Sequence, residues 1–260
     1  MRVEFLGVGE ACDEALPNTS LLVQRSADSF QTLLLDCGFT VASQFLQKVP
    51  DPDQLDALWI SHFHGDHTFG LPQLLLRFFE MGRTKPLTFI GQPGIDDWVI
   101  NLMELSYPGL TPRFGFDLQW EVLTPDRTLD LGGVSLQAAP TDHSQPNLAL
   151  RVESGGRSLF YSGDGGMTSS SRELAKHCSL AVHEAYSFEP RSGGHSSVLE
   201  CLDLAARACV QALALVHIRR LERGKVKGLD ALELEATAGC PILVPEPGHG
   251  FCLDSFEQHS

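Results

Sequence analysis

Four side chains able to bind a metal ion follow a short apolar stretch near residue 60. Residues 58–60 are apolar throughout and predict a buried strand. The next potential ligands all fall on one loop, before a helical pattern begins: His62, His64, Asp66 and His67. An apolar sheet does not tolerate such groups unpaired, because burying a polar group without a partner costs free energy. The fold is therefore expected to hold this loop at a strand end, where other ligands can reach it.

Further ligand types follow other predicted strands. His143, Asp164 and His217 each come soon after a hydrophobic run. His62 and His64 alternate along an extended segment and can share one ion, whereas the following Asp and His turn toward a second. Imidazole with carboxylate suits zinc, and two ions about 3.5 to 4 Å apart are usual in hydrolysis of phosphoesters and amides. The pattern predicts a two-metal hydrolytic site; the alternative is an inert, solvated histidine-rich loop.

Composition limits the class of protein. The chain has 260 residues, of which 43% are apolar, enough for one large domain or two small ones. Its net charge of −14 repels polyanions unless basic groups cluster locally, which disfavours a general nucleic-acid binder. The seven cysteines are odd in number and include no C-x-x-C pair, so they predict reduced thiols.

Targeting signals and membrane spans are not evident in the sequence. The first residues carry no long apolar segment of the kind found in secretory signals. No run of about eighteen uninterrupted apolar residues predicts a span. We expect a cytoplasmic protein that does not bind membranes.

Short β-rich runs recur in two sets, divided near residues 112–115. They lie at residues 2–6, 20–23, 32–36, 57–60, 87–90, and then 118–123, 134–139, 148–152, 158–162, 180–183 and 213–216. Helical periodicity occurs at residues 41–49, 69–81, 94–103, 170–177, 198–208 and 229–238. Ser170 and Ser197 are predicted to cap the helices that follow them. One α/β domain over residues 1–260, with two sheets flanked by helices, fits best.

With these motifs the sequence resembles the metallo-β-lactamase superfamily and, within it, ribonuclease Z. The resemblance covers nearly the whole chain, through Phe5-Leu6-Gly7, Asn18-Thr19-Ser20, Leu35-Asp36-Cys37-Gly38, residues 60–67, Gly70-Leu71-Pro72, Tyr161-Ser162-Gly163-Asp164, Val182-His183-Glu184-Ala185, His195-Ser196-Ser197 and Leu215-Val216-His217-Ile218. Residues 62–67 point to the superfamily, and the His-Glu-Ala and His-Ser-Ser motifs to the ribonuclease Z branch. The resemblance implies a four-layer αββα sandwich of two mixed β-sheets flanked by helices.

The resemblance also implies roles for the ligands. The first ion would be held by His62, His64 and His143, the second by Asp66, His67 and His217, and Asp164 would bridge the two. Two Zn²⁺ ions are expected, with Mn²⁺ or Fe²⁺ as alternatives. A hydroxide shared by the ions would attack the phosphorus of a phosphodiester.

Three residues are expected to be catalytic: Asp66, Glu184 and His195. His195 would donate a proton to the leaving oxygen while Glu184 orients it, since a histidine pKa lies near working pH and a carboxylate fixes the tautomer. Alternatively, His195 merely begins the next helix, and Glu184 is a strand-end carboxylate paired with a nearby base. Asp36 is either a partner of a ligand histidine or a turn former.

Two features depart from ribonuclease Z. That family grips precursor tRNA with a long Gly- and Lys-rich arm between the positions of His143 and Asp164. Here residues 144–163 leave room only for two strands and a Gly155-Gly156 turn. We therefore expect no stable binding of large nucleic acids, and a small or cyclic phosphodiester or an RNA 3′ end as substrate.

The second departure is a run of five basic residues among residues 219–227, directly after His217. Such a run is usually a solvated face. Cations beside a two-metal site would also attract a phosphate or carboxylate. We hypothesise that this basic loop binds the anionic group of the substrate through Arg219 and Arg220.

Other functions remain open at this point. The same scaffold could hydrolyse a thioester, lactone or lactam, although such substrates need no donor like His195 with Glu184. The chain could also be a non-catalytic metal-binding carrier or regulatory protein, which the complete ligand set disfavours. A homodimer is a further alternative, in which the apolar face of the helix predicted at residues 69–81 forms an interface instead of belonging to the core.

Overall fold

Two β-sheets pack face to face, and helices cover the outer face of each. The computed structural model describes residues 1–25, 31–190 and 193–259. Within them the strands are β1 (Arg2–Gly7), β2 (Ser20–Gln24), β3 (Thr32–Leu35), β4 (Ala57–Ile60), β5 (Leu87–Gly91), β6 (Leu118–Val122), β7 (Thr128–Asp130), β8 (Ser135–Pro140), β9 (Leu148–Ser154), β10 (Arg157–Tyr161), β11 (Leu180–Glu184), β12 (Leu213–Val216), β13 (Ile242–Leu243), β14 (Gly250–Cys252) and β15 (Glu257–His259).

Both sheets are mixed. The first has the order β15-β14-β1-β2-β3-β4-β5-β6, and the second has the order β13-β12-β11-β10-β9-β8-β7. The helices are α1 (Val41–Lys48), α2 (Gly65–Thr68), α3 (Leu71–Glu80), α4 (Ile95–Ser106), α5 (Ser169–Ala175), α6 (Val198–Ala208), α7 (Arg220–Lys227) and α8 (Ala231–Ala238). This is the αββα sandwich that the sequence predicted.

Three apolar layers hold the sandwich together. Side chains such as Trp59 and Leu150 fill the layer between the sheets. Phe45 and Phe78 belong to the layer between the first sheet and α1, α3 and α4. Phe160 lies in the layer between the second sheet and its helices. Because successive strand residues point to opposite faces, apolar runs suit strands that are covered on both sides.

Replacing Leu150 with Ala is expected to lower the free energy of unfolding by about 2–5 kcal/mol, since the side chain is fully buried between the sheets and its loss leaves a cavity. The matched control is Leu105→Ala, the same chemical change on α4 at a side chain that is 83% exposed. That control is expected to change stability by less than about 0.5 kcal/mol. Equal effects of the two variants in chemical denaturation would contradict this assignment of the core.

The division predicted near residues 112–115 is wrong in detail. Strand β6 comes after it but pairs with β5 in the first sheet, and β14 returns from the far end of the chain to pair with β1. Sheet membership depends on pairing between distant segments, which local periodicity does not report.

Several local predictions also change. Thr168, not Ser170, caps α5, because its side chain accepts the Ser171 amide hydrogen; Ser197 caps α6 as expected. The helix predicted at residues 69–81 begins at Leu71, and the residues just before it form the separate short helix α2. The apolar face of α3 is buried in the core, so it offers no dimer interface, and a homodimer stays a prediction.

All seven cysteines are free thiols, as the sequence indicated. No helix within residues 1–25, 31–190 and 193–259 has the length and apolar character needed to cross a bilayer.

Candidate metal centre

Polar side chains from both sheets meet where the strands end. Asp36 follows β3 and His62 follows β4 by two residues, while Asp164 and His217 follow β10 and β12 of the other sheet. The carboxyl ends of parallel strands share one edge, which is where open α/β sheets place their sites. Asp36 and His217 adopt positive φ angles of 59° and 54°, so the chain turns sharply as it leaves each strand.

Close backbone packing holds α2, which carries two of the ligands, against the end of β3. Cys37 donates its amide hydrogen to the His67 carbonyl at 2.8 Å, and Gly70 donates to the Cys37 carbonyl at 2.9 Å. A Cβ atom on Gly38 would lie 1.9 Å from the Asp66 carbonyl oxygen. Glycine is therefore required at position 38 for the ligand helix to approach this closely.

The first group of ligand atoms comprises His62, His64, His143 and Asp164. The Nδ1 atom of His64 lies 2.9 Å from His62 Nε2 and 3.1 Å from His143 Nε2. The Nε2 atom of His62 is 4.0 Å from Asp164 Oδ2. These atoms lie close enough together to share one ion.

The second group comprises Asp66, His67, Asp164 and His217. The Nε2 atom of His67 lies 3.3 Å from Asp66 Oδ2 and 3.4 Å from Asp164 Oδ1. The Nε2 atom of His217 lies 3.4 Å from Asp66 Oδ2 and 3.5 Å from Asp164 Oδ2. Asp164 belongs to both groups, so one carboxylate joins two potential ion positions.

The donor set fits divalent cations. His67 Nε2 and Asp164 Oδ1 are buried and make no hydrogen bond, although unpaired buried polar atoms are costly. Two ligand atoms at about 2.1 Å from a tetrahedral ion are about 3.4 Å apart, close to the separations in the second group. Nitrogen and oxygen donors in this combination suit zinc and similar ions.

Asp36 fixes the ring of His67 from behind. Its buried carboxylate accepts hydrogen bonds from the Ser61 amide at 2.8 Å, the Ser61 hydroxyl at 2.8 Å and the Tyr161 hydroxyl at 2.7 Å. His67 Nδ1 lies 2.8 Å from the same carboxylate and donates to it, so Nε2 is the ring nitrogen that faces the cluster. Asp36 therefore contacts a predicted ligand histidine, and it is not only a turn former.

Replacing Asp36 with Asn is expected to weaken metal binding by about 10- to 100-fold, because one carboxylate oxygen is lost and the His67 ring is no longer held in this tautomer. Tyr161→Phe is the matched control, since it removes only one of the hydrogen bonds to Asp36. Its effect is expected to be smaller than that of Asp36→Asn. Competition against a chromophoric chelator measures both affinities, and an unchanged affinity in Asp36→Asn would contradict this role.

The charges of the cluster shift several pKa values. Burial lowers the pKa of His217, but the nearby Asp164 and Asp66 carboxylates outweigh burial and raise it to about 9. His67 is likewise buried, and Asp164 with Asp36 hold its pKa well above the usual range. Protons on these histidines compete with cations for the same nitrogen atoms. Binding of a metal at neutral pH would therefore release protons, and it would weaken as the pH falls.

Glu184 and His195 form a pair at the side of the cluster, where their side-chain atoms also group with that of His217. Glu184 is fully buried; its Oε1 accepts the Ser196 amide hydrogen at 2.8 Å and the Gly165 amide hydrogen at 3.0 Å, and lies 3.2 Å from His195 Nδ1. Burial lowers the pKa of His195, but the hydrogen bond and charge of Glu184 outweigh burial and raise it. The His195 ring stacks on Tyr186 with ring centres 4.6 Å apart. In this geometry the Glu184 carboxylate can orient the His195 ring as a proton donor.

A cleft of about 360 Å³ opens over these groups. It is lined by Glu10, Ala11, Cys12, His64, Gly65, Asp66, His143, Ser144, Asp164, Tyr186, His195 and His217. Sequence reasoning missed Glu10, Cys12 and Tyr186. Tyr186 stands two residues after Glu184 and could have been found from that proximity, whereas Glu10 and Cys12 carry no distinguishing local pattern.

Arg219 and Arg220 are not among the residues that line the cleft. Arg220 binds the carboxylate of Glu10, and its Nε lies 3.5 Å from Glu14. The segment predicted as a basic loop instead forms helix α7 from Arg220 to Lys227, in which helical hydrogen bonds pair the backbone amide and carbonyl groups. An anion-binding role for Arg219 and Arg220 stays a prediction that this arrangement does not favour.

Comparisons with known proteins agree with the fold. Residues 31–218 match the beta-lactamase superfamily domain. Ribonuclease Z of Shouchella clausii is 25% identical over 274 residues, covering 84% of this chain and 86% of the relative. Ribonuclease BN of Escherichia coli is 28% identical over 271 residues, covering 84% and 89%.

Solved structures of other proteins also share the fold of this chain. The metallo-β-lactamase fold protein YhfI of Bacillus subtilis has a TM-score of 0.79 and 21% identity, with 96% of this chain and 98% of that chain covered. The short form of human tRNase Z has a TM-score of 0.78 and 20% identity, with 97% and 99% covered. At these identities the likeness establishes the fold alone.

Proposed function

The chain belongs to the beta-lactamase superfamily and is a hydrolase, and on this premise we propose that it cleaves phosphodiesters at a centre of two zinc ions. The observation that carries the proposal is the position of Asp164 in both ligand groups, with Asp164 Oδ1 and His67 Nε2 buried, 3.4 Å apart and without a hydrogen bond. A single carboxylate shared by two groups of potential ligands brings two ion positions close together, as two-metal hydrolysis needs.

The predicted ligands would divide between two ions, with Asp164 close to both positions. The first ion would be held by His62, His64 and His143, and the second by Asp66, His67 and His217. Divalent ions bound there supply Lewis acidity toward a phosphoryl oxygen and make water more acidic. Zn²⁺ is the proposed ion, with Mn²⁺ and Fe²⁺ as alternatives.

The protein itself contributes orientation and a proton. Glu184 is held by backbone amides, so it fixes His195 Nδ1 and leaves the other ring nitrogen free for the substrate. The protonated ring can donate to the leaving oxygen, and its raised pKa extends the pH range over which it carries that proton. Asp66 would contribute as a ligand of the second ion, and it lines the same cleft as His195.

The substrate proposed is a small or cyclic phosphodiester, or an RNA 3′ end. The relatives named ribonuclease Z and ribonuclease BN support phosphodiester chemistry. The segment between His143 and Asp164 is a short hairpin of β9 and β10, joined by Gly155 and Gly156. A hairpin of this length supports no arm for the body of a tRNA.

We also propose a cytoplasmic location.

Purified protein loaded with zinc or manganese should hydrolyse bis-p-nitrophenyl phosphate and 2′,3′-cyclic nucleotides. The same preparation is tested on precursor tRNA, a thioester and a lactone. Turnover confined to phosphodiesters supports the proposal. Hydrolysis of the thioester or lactone without any phosphodiester turnover would replace it with the alternative ester or lactam chemistry.

The two alternatives are less well supported. A thioester, lactone or lactam hydrolase has no need of an oriented proton donor such as His195 with Glu184. A non-catalytic carrier is disfavoured because the chain is a hydrolase of this superfamily and the ligand set is complete.

A further inference from the structure

The loop that carries Asp164 lies beyond the end of strand β10. The pairing of β10 with its neighbours ends at Tyr161, and Asp164 stands between Gly163 and Gly165, whose φ angles are 58° and 104°. Asp164 is only 3% exposed. Within residues 1–25, 31–190 and 193–259, no backbone group forms a hydrogen bond with the Asp164 amide or carbonyl. Buried backbone groups need partners, so side chains must hold this residue.

Asn147, the residue just before β9, supplies most of these partners. Its Oδ1 accepts the Asp164 amide hydrogen at 3.3 Å, and its Nδ2 donates to the Asp164 carbonyl at 2.6 Å and to the Ser162 carbonyl at 3.0 Å. The Thr141 hydroxyl also donates to the Asp164 carbonyl at 2.7 Å and accepts from Asn147 Nδ2 at 2.7 Å. Only Nδ2 can donate to carbonyl oxygens, so the orientation of the amide is determined by its partners.

The same residue connects this loop to the other sheet. Asn147 is 2% exposed, and the next residue, Leu148, donates its amide hydrogen to the Ser61 carbonyl at 3.1 Å. Ser61 follows β4 of the first sheet, directly before the loop of residues 62–67. A Cβ atom on Gly163 would lie 2.6 Å from Asn147 Oδ1 and 2.7 Å from Ser61 Cβ. These contacts fix the loop after β10 against the loop after β4.

We propose that Asn147 is a positioning residue: its buried amide holds the main chain of Asp164 and thereby sets where the shared carboxylate lies between the two ligand groups. This role rests on the proposed function only through its metal centre. A carboxylate common to two ions must reach both within narrow distance limits, so a small displacement of its main chain weakens both positions. Asn147 acts through Asp164 and is not proposed as a ligand itself.

Asn147→Ala is expected to weaken the binding of both zinc equivalents by about 10- to 100-fold, because the Asp164 carboxylate is no longer held in one place. Competition against a chromophoric chelator measures the two dissociation constants independently of activity. Thr141→Val is a second, milder variant that removes the hydroxyl donating to the Asp164 carbonyl. It is expected to weaken binding by about two- to tenfold.

Gln92→Ala is the matched control. Gln92 is 7% exposed, and its Nε2 donates to the carbonyl of Pro146, the residue before Asn147, at 3.1 Å. This variant removes a buried amide from the same region without removing a hydrogen bond to Asp164. It should lower the melting temperature of the metal-free protein, as Asn147→Ala does, and leave both dissociation constants within about twofold of the wild-type values. A purely structural role would change stability in both variants and metal affinity in neither.

The outcomes separate two failures. Wild-type affinity in Asn147→Ala, or an equal loss of affinity in Gln92→Ala, overturns the positioning role. If Asn147→Ala does not fold, an unchanged affinity in Thr141→Val overturns it instead. Zinc binding without hydrolysis of any phosphodiester by the wild-type protein contradicts the proposed function, whereas the affinities of the variants still decide the role of Asn147. Failure of the wild-type protein to bind zinc overturns both.

Discussion

Replacement of Asp164 with Asn is expected to lower phosphodiesterase kcat by about a thousandfold or more and to release bound metal. Asp164 is 3% exposed and contributes to both ligand groups, so a neutral amide weakens both ion positions together. Steady-state kinetics and the metal content of the purified variant measure the two effects.

The control for this variant is Asp97→Asn on α4, the same chemical change at an exposed position. It should retain wild-type activity and metal content. Wild-type activity in Asp164→Asn would contradict the bridging role, and the melting temperature with and without metal distinguishes a lost site from a lost fold.

Replacement of His195 with Ala is expected to lower kcat by about 10²- to 10⁴-fold on substrates whose leaving group is an alcohol, since an alkoxide needs a proton as it departs. Bis-p-nitrophenyl phosphate should be affected far less, because an acidic phenol leaves without a proton. Metal content should stay at the wild-type level. Equal losses on both kinds of substrate would contradict a donor role and indicate that His195 only shapes the cleft.

The pH dependence gives the same role an independent readout. Burial lowers the pKa of His195, and Glu184 raises it by more, so the folded pKa lies above the ordinary value. Activity on alcohol leaving groups should therefore be present below this pKa and fall as the pH rises through it. Glu184→Gln removes the stabilising charge and should move that fall to lower pH. An unchanged profile in this variant would contradict the orientation by Glu184.

Local sequence patterns were enough to predict that the loop of residues 62–67 follows the end of a buried strand. A buried strand followed by alternating His62 and His64 predicts ligands at a strand end, and the structure brings these residues together with Asp164 and His217. These residues lie together because polar groups at the end of an apolar strand need partners, and their role as metal ligands stays a prediction.

Contacts between segments that lie far apart in the chain could not be predicted from local sequence patterns. The basic run after His217 suggested an anion site, but Arg220 is occupied by Glu10, which lies 210 residues away in the chain. Likewise, β14 joins the first sheet although its sequence follows the second. Ion pairs and strand pairs of this kind depend on which segments meet in three dimensions, and no local period encodes them.

The presence of two zinc ions at the catalytic centre is tested most directly by titrating metal-free protein with Zn²⁺ while phosphodiester hydrolysis is followed. Two equivalents are expected to bind per chain, with full activity reached only as the second equivalent is bound. Full activity with one equivalent, or hydrolysis that persists after removal of all metal by a chelator, would contradict this expectation.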